Sequence, residues 1–183
     1  MNKEAFNRFD QITYLASGTP QQRKAYDLLT KHQIMPILRR YDAVLVGTIP
    51  LDIAIPSSDL DVLCSVADFT AFQAYVQTQM GHHPDFKITH AYVRGVESVF
   101  VNFRVENFAV EVFAQHMPVK RQHGFLHLIK EYEILTRCGQ DFKQKIIDLK
   151  RAGIKTEPAF AQLLQISGDP YEGLLKYEVH ENF

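Results

Sequence analysis

Apolar positions recur along this chain with two periods, and the switches between them mark out its elements. Ala25, Leu28, Leu29 and Ile34 fall at the spacing of one helix face, which predicts a helix from Thr19 to about His32 and a further turn beyond. Thr19 can cap it, Pro20 suits its first turn, and Gln22 can complete a capping box. Residues 43–46 are a short apolar run ending at Gly47 and read as a strand. Pro50 and Pro56 forbid a long helix between Thr48 and Ser57, leaving a loop or a single helical turn. Residues 61–66 form the next strand. Asp68 then caps a helix to about Met80, with Phe69, Phe72, Tyr75 and Val76 as its buried stripe, and Gly81-His82-His83-Pro84 breaks it.

The period then shortens to two. Residues 86–93, 98–105 and 108–114 read as strands, with Arg94-Gly95 and Glu106-Asn107 as turns and the second turn short enough for a hairpin. The remainder is helical. One helix spans 118–137 and stops at Gly139; another spans 142–152 and ends at Gly153. A third starts at Thr156, with Pro158 in its first turn. A last begins at Asp169-Pro170, with Glu172 in capping-box position. The expected fold is α+β, a mixed sheet flanked by helices. Residues 1–117 would form the α/β core, and residues 118–183 a C-terminal helical region packed on it as one compact unit.

Composition narrows the function more than the fold. Over 183 residues the net charge is −1, which argues against broad attraction to nucleic acid. Lys143, Lys145, Lys150, Arg151 and Lys155 do form a local basic run, open to two readings: a solvated face or a nucleic-acid contact. Cys64 and Cys138 are the two cysteines and lack metal-ligand spacing, so a reducing cytoplasm is expected rather than a disulfide scaffold. Residues 1–7 lack the apolar core of a signal peptide, and no apolar run approaches the ~18 residues of a membrane span.

The chemistry concentrates in two acids placed one residue apart. Asp59 and Asp61 share one face of a strand while Leu60 and Val62 share the other. At a gap of about 5 Å and an effective dielectric near 20 their repulsion is roughly 3 kcal/mol. A divalent cation or a shared proton relieves it. Mg²⁺ or Mn²⁺ suits such a pair, because these ions take oxygen ligands and keep positions for substrate phosphates. Glu111 adds a third acid inside an otherwise apolar strand, on the face of Ala109 and Phe113. A shared metal would satisfy it; so would a salt bridge to Arg94 or Arg104. Gly47 and Thr48 follow a strand, where a glycine lets backbone approach a phosphate and a hydroxyl can hold it. Ser58 joins them as a candidate nucleotide ligand. Further on, Arg121 can grip a phosphate and His127, one turn from His123, can donate or accept a proton. His116 follows the last strand and can line the same cleft. Ordinary turn chemistry and an exposed helix start are the plainer readings of these positions.

Gly47-Thr48, Asp59-Leu60-Asp61 and Glu111, in that order, resemble the nucleotidyltransferase superfamily typified by DNA polymerase beta. The likeness covers residues 40–115. Val46-Gly47-Thr48-Ile49-Pro50-Leu51, Ser58-Asp59-Leu60-Asp61, Lys155-Thr156-Glu157-Pro158-Ala159-Phe160 and Gly168-Asp169-Pro170-Tyr171 are similar to an uncharacterised bacterial family within it. Three positions depart from the superfamily pattern: Thr48 replaces a serine, Leu51-Asp52 stand where an arginine is common, and the third acid is Glu rather than Asp. The resemblance implies a Mg²⁺-dependent enzyme moving a nucleotidyl group from a nucleoside triphosphate. The length is short for a processive polymerase, so a small molecule or a protein side chain is the expected acceptor. The alternative is an inactive nucleotide- or partner-binding module of the same fold.

Overall fold

The computed structural model describes residues 3–178. Five strands form one mixed sheet in the order β1-β2-β5-β4-β3. They are β1 (Val44–Val46), β2 (Leu60–Ser65), β3 (Lys87–Val93), β4 (Val96–Val105) and β5 (Phe108–Gln115). All neighbours are antiparallel except β2 and β5, which run parallel with Asp61 opposite Glu111. The register pairs Val105 with Phe108, the expected hairpin, and Val93 with Val96, so Arg94-Gly95 also closes a two-residue hairpin because β4 starts two residues earlier than the pattern predicted.

Period-two patterning decides what each face carries. Leu60, Val62 and Cys64 of β2, Val99, Val101 and Phe103 of β4, and Val110, Val112 and Ala114 of β5 are buried in one core. That core is closed by α2 (Pro20–Lys31), α3 (Ile34–Leu38) and α4 (Phe69–Met80). On the other face Val44, Val46 and Leu63 pack against Phe125, Leu128 and Ile129 of α5 (His123–Arg151). Phe160 of α6 (Thr156–Leu163) and Leu174 of α7 (Pro170–Lys176) complete this second core. Asp61 and Glu111 lie on the second face, between the sheet and α5.

The caps follow the sequence. Thr19 and Gln22 form the reciprocal capping box, Asp68 accepts from the Ala71 amide, and Asp169 accepts from the Glu172 amide. Where the structure departs, tertiary contacts are the cause. The helix expected from Pro118 begins instead at His123, after a 3₁₀ turn over Val119–Arg121. Gln122 is extended and fully buried, its amide donating to the carbonyls of Cys64 and Met117 at 2.9 and 3.0 Å. Gly139 is non-helical at φ 76° and ψ −167°, so α5 is two helices meeting at a kink there, as the glycine implied. The helix α1 (Lys3–Arg8) and a 3₁₀ turn over Thr13–Ser17 carry no predicted signal. Phe6 and Phe9 explain their place, meeting Phe125 and Tyr132 edge-on at 5.3 Å. No helix among the described residues is long and apolar enough to cross a membrane.

Candidate active site

A cleft of about 650 Å³ opens between the second sheet face and the helices α5 and α6. Gly47, Thr48, Ser58, Asp59, Asp61 and Glu111 line it from the sheet side. His127, Glu131, Lys150, Lys155 and Glu157 line it from the helix side. The parallel β2–β5 pair sets the acids. Adjacent strands lie about 4.8 Å apart, and residues two apart on one strand about 6.6 Å, so backbone alone holds the bases of Asp59, Asp61 and Glu111 within one ion's neighbourhood.

Their mutual charge is visible in their titration. Burial, then Asp59, then Glu111 push the Asp61 carboxyl up to about 7. Burial and Asp59 also raise Glu111. Near neutral pH, Asp61 therefore carries a proton part of the time, the second remedy for a crowded acid pair. The three offer carboxylate oxygens only, the donor set that suits Mg²⁺ or Mn²⁺. Their oxygens have not converged: among the described residues, the three-residue set with ligand atoms all within 4.8 Å of one another is His127, Glu131 and Glu157.

The loop between β1 and β2 is built to hold that geometry. Gly47 has a left-handed φ of 75°, and a Cβ there would stand 2.3 Å from Asp61 Oδ2. Its lack of a side chain thus makes room for the Asp61 carboxylate, a demand the sequence reading assigned to phosphate approach. Thr48 Oγ1 donates to Ser58 Oγ at 3.2 Å, and Ser58 Oγ accepts the Ile55 amide at 3.0 Å. The two hydroxyls tie the loop's ends together. Gln22 donates to the carbonyls of Ile49 and Pro50 at 2.9 and 3.3 Å. Asp52, at the position where the superfamily commonly has an arginine, is a fastening: Thr19 Oγ1 donates to it at 2.8 Å, and Lys143 pairs with it at 2.5 Å.

The helix side holds groups that the sequence reading passed over. Lys150 is only 7% exposed and donates to the Ile53 carbonyl at 2.9 Å. Burial lowers it to about 8 against the opposing pull of Glu131, Glu157, Asp59 and Asp61. Glu131 is 4% exposed, and burial followed by Glu157 raises its pKa strongly. Glu157, in the first turn of α6, is raised mainly by burial. His127 lines the cleft as expected, but burial and then His123 push it down to about 4. At physiological pH it is therefore neutral, with one donor and one acceptor nitrogen.

The remaining expectations separate. Arg121 is exposed on its 3₁₀ turn, outside the residues that line the cleft. His116 is exposed and packs on Phe69 at 4.2 Å between ring centroids, also away from the cleft lining. The basic run is not one face: Lys143 and Lys150 turn inward, Arg151 pairs with Asp148, and Lys155 edges the cleft. A helical signal was present, since Lys143, Ile146 and Lys150 share a stripe by three- and four-residue spacing, and Ile146 is core. His127 and Glu131 are spaced the same way.

A five-stranded mixed sheet with helices on both faces and acids on its parallel pair has the nucleotidyltransferase fold. A family model described as a domain of unknown function (DUF4269) matches residues 27–177, and the chain belongs to that family. Among solved structures, one of Cid1, in work on its RNA terminal uridylyl transferase activity, superposes with a TM-score of 0.55 at 10% identity, covering 80% of this chain and 48% of that one. Cid1 poly(U) polymerase with MgGTP bound gives 0.53 at 11%, covering 91% and 50%. The same polymerase with Mg 3′-dATP bound gives 0.52 at 12%, covering 84% and 47%. This chain thus spans about half the length of the structures it matches. No curated protein matches it significantly.

Proposed function

We propose that this protein is a Mg²⁺- or Mn²⁺-dependent nucleotidyltransferase that moves a nucleotidyl group from a nucleoside triphosphate to a small-molecule or protein acceptor. The observation that carries the reading is the in-register pair Asp61–Glu111 on the parallel strands, with Asp59 beside it in the same cleft. The fold's likeness to Cid1 polymerase structures holding MgGTP and Mg 3′-dATP supports the nucleotide class.

In this account Asp59, Asp61 and Glu111 hold the ion. Bound there, it would neutralise charge on the attacking and leaving oxygens of an in-line displacement at the α-phosphate. Glu111, its pKa raised by burial and by Asp59, accepts the proton of the acceptor hydroxyl. Gly47, Thr48 and Ser58 position the triphosphate. Lys150 and Lys155 supply the positive charge that the missing arginine would bring. The helices from residue 118 onward form the wall that selects the acceptor.

A screen of labelled triphosphates for pyrophosphate release tests this. Release should require Mg²⁺ or Mn²⁺ and vanish in Asp61→Ala; unchanged release in that variant removes Asp61 from the mechanism. The use of Asp52 as a loop fastening favours a second reading, a nucleotide-binding module without turnover. Calorimetric binding of metal and ATP without any pyrophosphate release would establish it.

A further inference from the structure

We propose that the helix wall of the cleft carries a second metal site, for a zinc-class transition-metal dication, formed by His127, Glu131 and Glu157. Two observations support it independently. One ligand atom from each residue lies within 4.8 Å of the other two, a mixed nitrogen and oxygen set. His127 Nδ1 is also buried without a hydrogen-bond partner, on a residue only 7% exposed. Its neighbour Glu131 Oε1 stands 4.0 Å away, too far for a hydrogen bond. A buried ring nitrogen is normally satisfied, and an orphaned one calls for an explanation such as a missing ion.

The His127–Glu131 separation of 4.0 Å is near that of two ligands on one ion. Ligands about 2.1 Å from a tetrahedral centre lie about 3.4 Å from each other, so the His127–Glu131 gap closes by about half an ångström. Residues 127 and 131 share one helix face by four-residue spacing, and Glu157 reaches the same point from the first turn of α6. Lys150 acts on these acids only at longer range: it donates to the Ile53 carbonyl, and among the described residues no ion pair within 4 Å joins it to Glu131 or Glu157. Imidazole with carboxylates selects zinc-class ions over magnesium, which prefers oxygen alone. Three protein ligands leave a fourth position, and all three residues line the cleft, so that position faces whatever the cleft binds.

This site does not depend on the proposed nucleotidyl transfer, and metal binding alone tests it. Chelator-stripped protein is titrated with Zn²⁺ against a chromogenic competitor, in wild type and in Asp61→Asn, His127→Gln and Glu157→Gln. X-ray absorption at the zinc edge is recorded on each loaded protein. Asp61→Asn should keep one tight Zn²⁺ with imidazole scattering. His127→Gln and Glu157→Gln each remove a ligand and should lose at least the roughly 100-fold that loss of an outer-shell partner can cost, and His127→Gln should lose the imidazole signature. Absent Zn²⁺ binding, binding indifferent to both helix-wall variants, or a zinc without imidazole that disappears in Asp61→Asn would each overturn the proposal. If His127→Gln fails to fold, Glu157→Gln, at a half-buried position, and the wild-type scattering decide it.

Discussion

Replacing Asp61 by Asn should stabilise the metal-free protein, and more so at pH 8 than at pH 5. The Asp61 carboxyl titrates at about 7 in the fold and at its ordinary 3.8 in the unfolded chain. Between those values the folded state holds more protons, so stability falls as pH rises and levels off above about 7. From pH 5 to pH 8 the native carboxyl crosses about 2 pH units of this window, at most about 3 kcal/mol. The cleft is open to solvent, which screens the acids and reduces the figure to about 1–2 kcal/mol. Asn has the same shape and no charge, so the variant escapes this loss while Glu111, Glu131 and Glu157 titrate in both proteins. For a domain of this size the difference corresponds to about 2–8 °C in melting temperature. Thermal denaturation in chelator at pH 5, 6.5 and 8 reads it. A variant whose advantage over wild type is flat with pH, or absent at pH 8, would refute the claim that burial and neighbouring acids crowd Asp61.

Other positions give sharper local readouts. Gly47→Ala should cost about 1–2 kcal/mol for its left-handed backbone and displace the Asp61 carboxylate, lowering Mn²⁺ affinity in a paramagnetic titration. Lys150→Met should destabilise by about 2 kcal/mol in urea, because it orphans the Ile53 carbonyl and removes a cation from a cleft of acids. Asp52→Asn keeps a residue that tolerates the φ of 55° but loses the Lys143 ion pair. It should cost about 1 kcal/mol, and hydrogen exchange at residues 48–53 should quicken.

The strand faces and helix starts were legible because they depend on short-range pattern. Val110 and Val112 alternating with Glu111 settled which side of β5 faces the cleft, and Thr19, Asp68 and Asp169 cap as their spacing implied. That the sheet-side candidates would share one cleft was legible for the same reason. The helix side was not, since charged residues on helices usually face water. Glu131 and Lys150 sit in the apolar stripe of α5 only once that helix is laid across β1 and β2. Asp52 draws its role from Thr19 and Lys143, 33 and 91 residues away, and no local pattern encodes such contacts. Gln122 delays the start of a predicted helix through a bond to Cys64, 58 residues earlier in the chain.

The central claim is that Asp59, Asp61 and Glu111 close on one cation. A crystal structure with Mn²⁺ and a non-hydrolysable nucleoside triphosphate tests it most directly, by the position of the anomalous peak. The account predicts Mn²⁺ at about 2.1 Å from oxygens of all three, with phosphate oxygens completing the octahedron. A triphosphate bound elsewhere, or Mn²⁺ absent from the sheet-side acids with Glu111 directed away from the two aspartates, would contradict it.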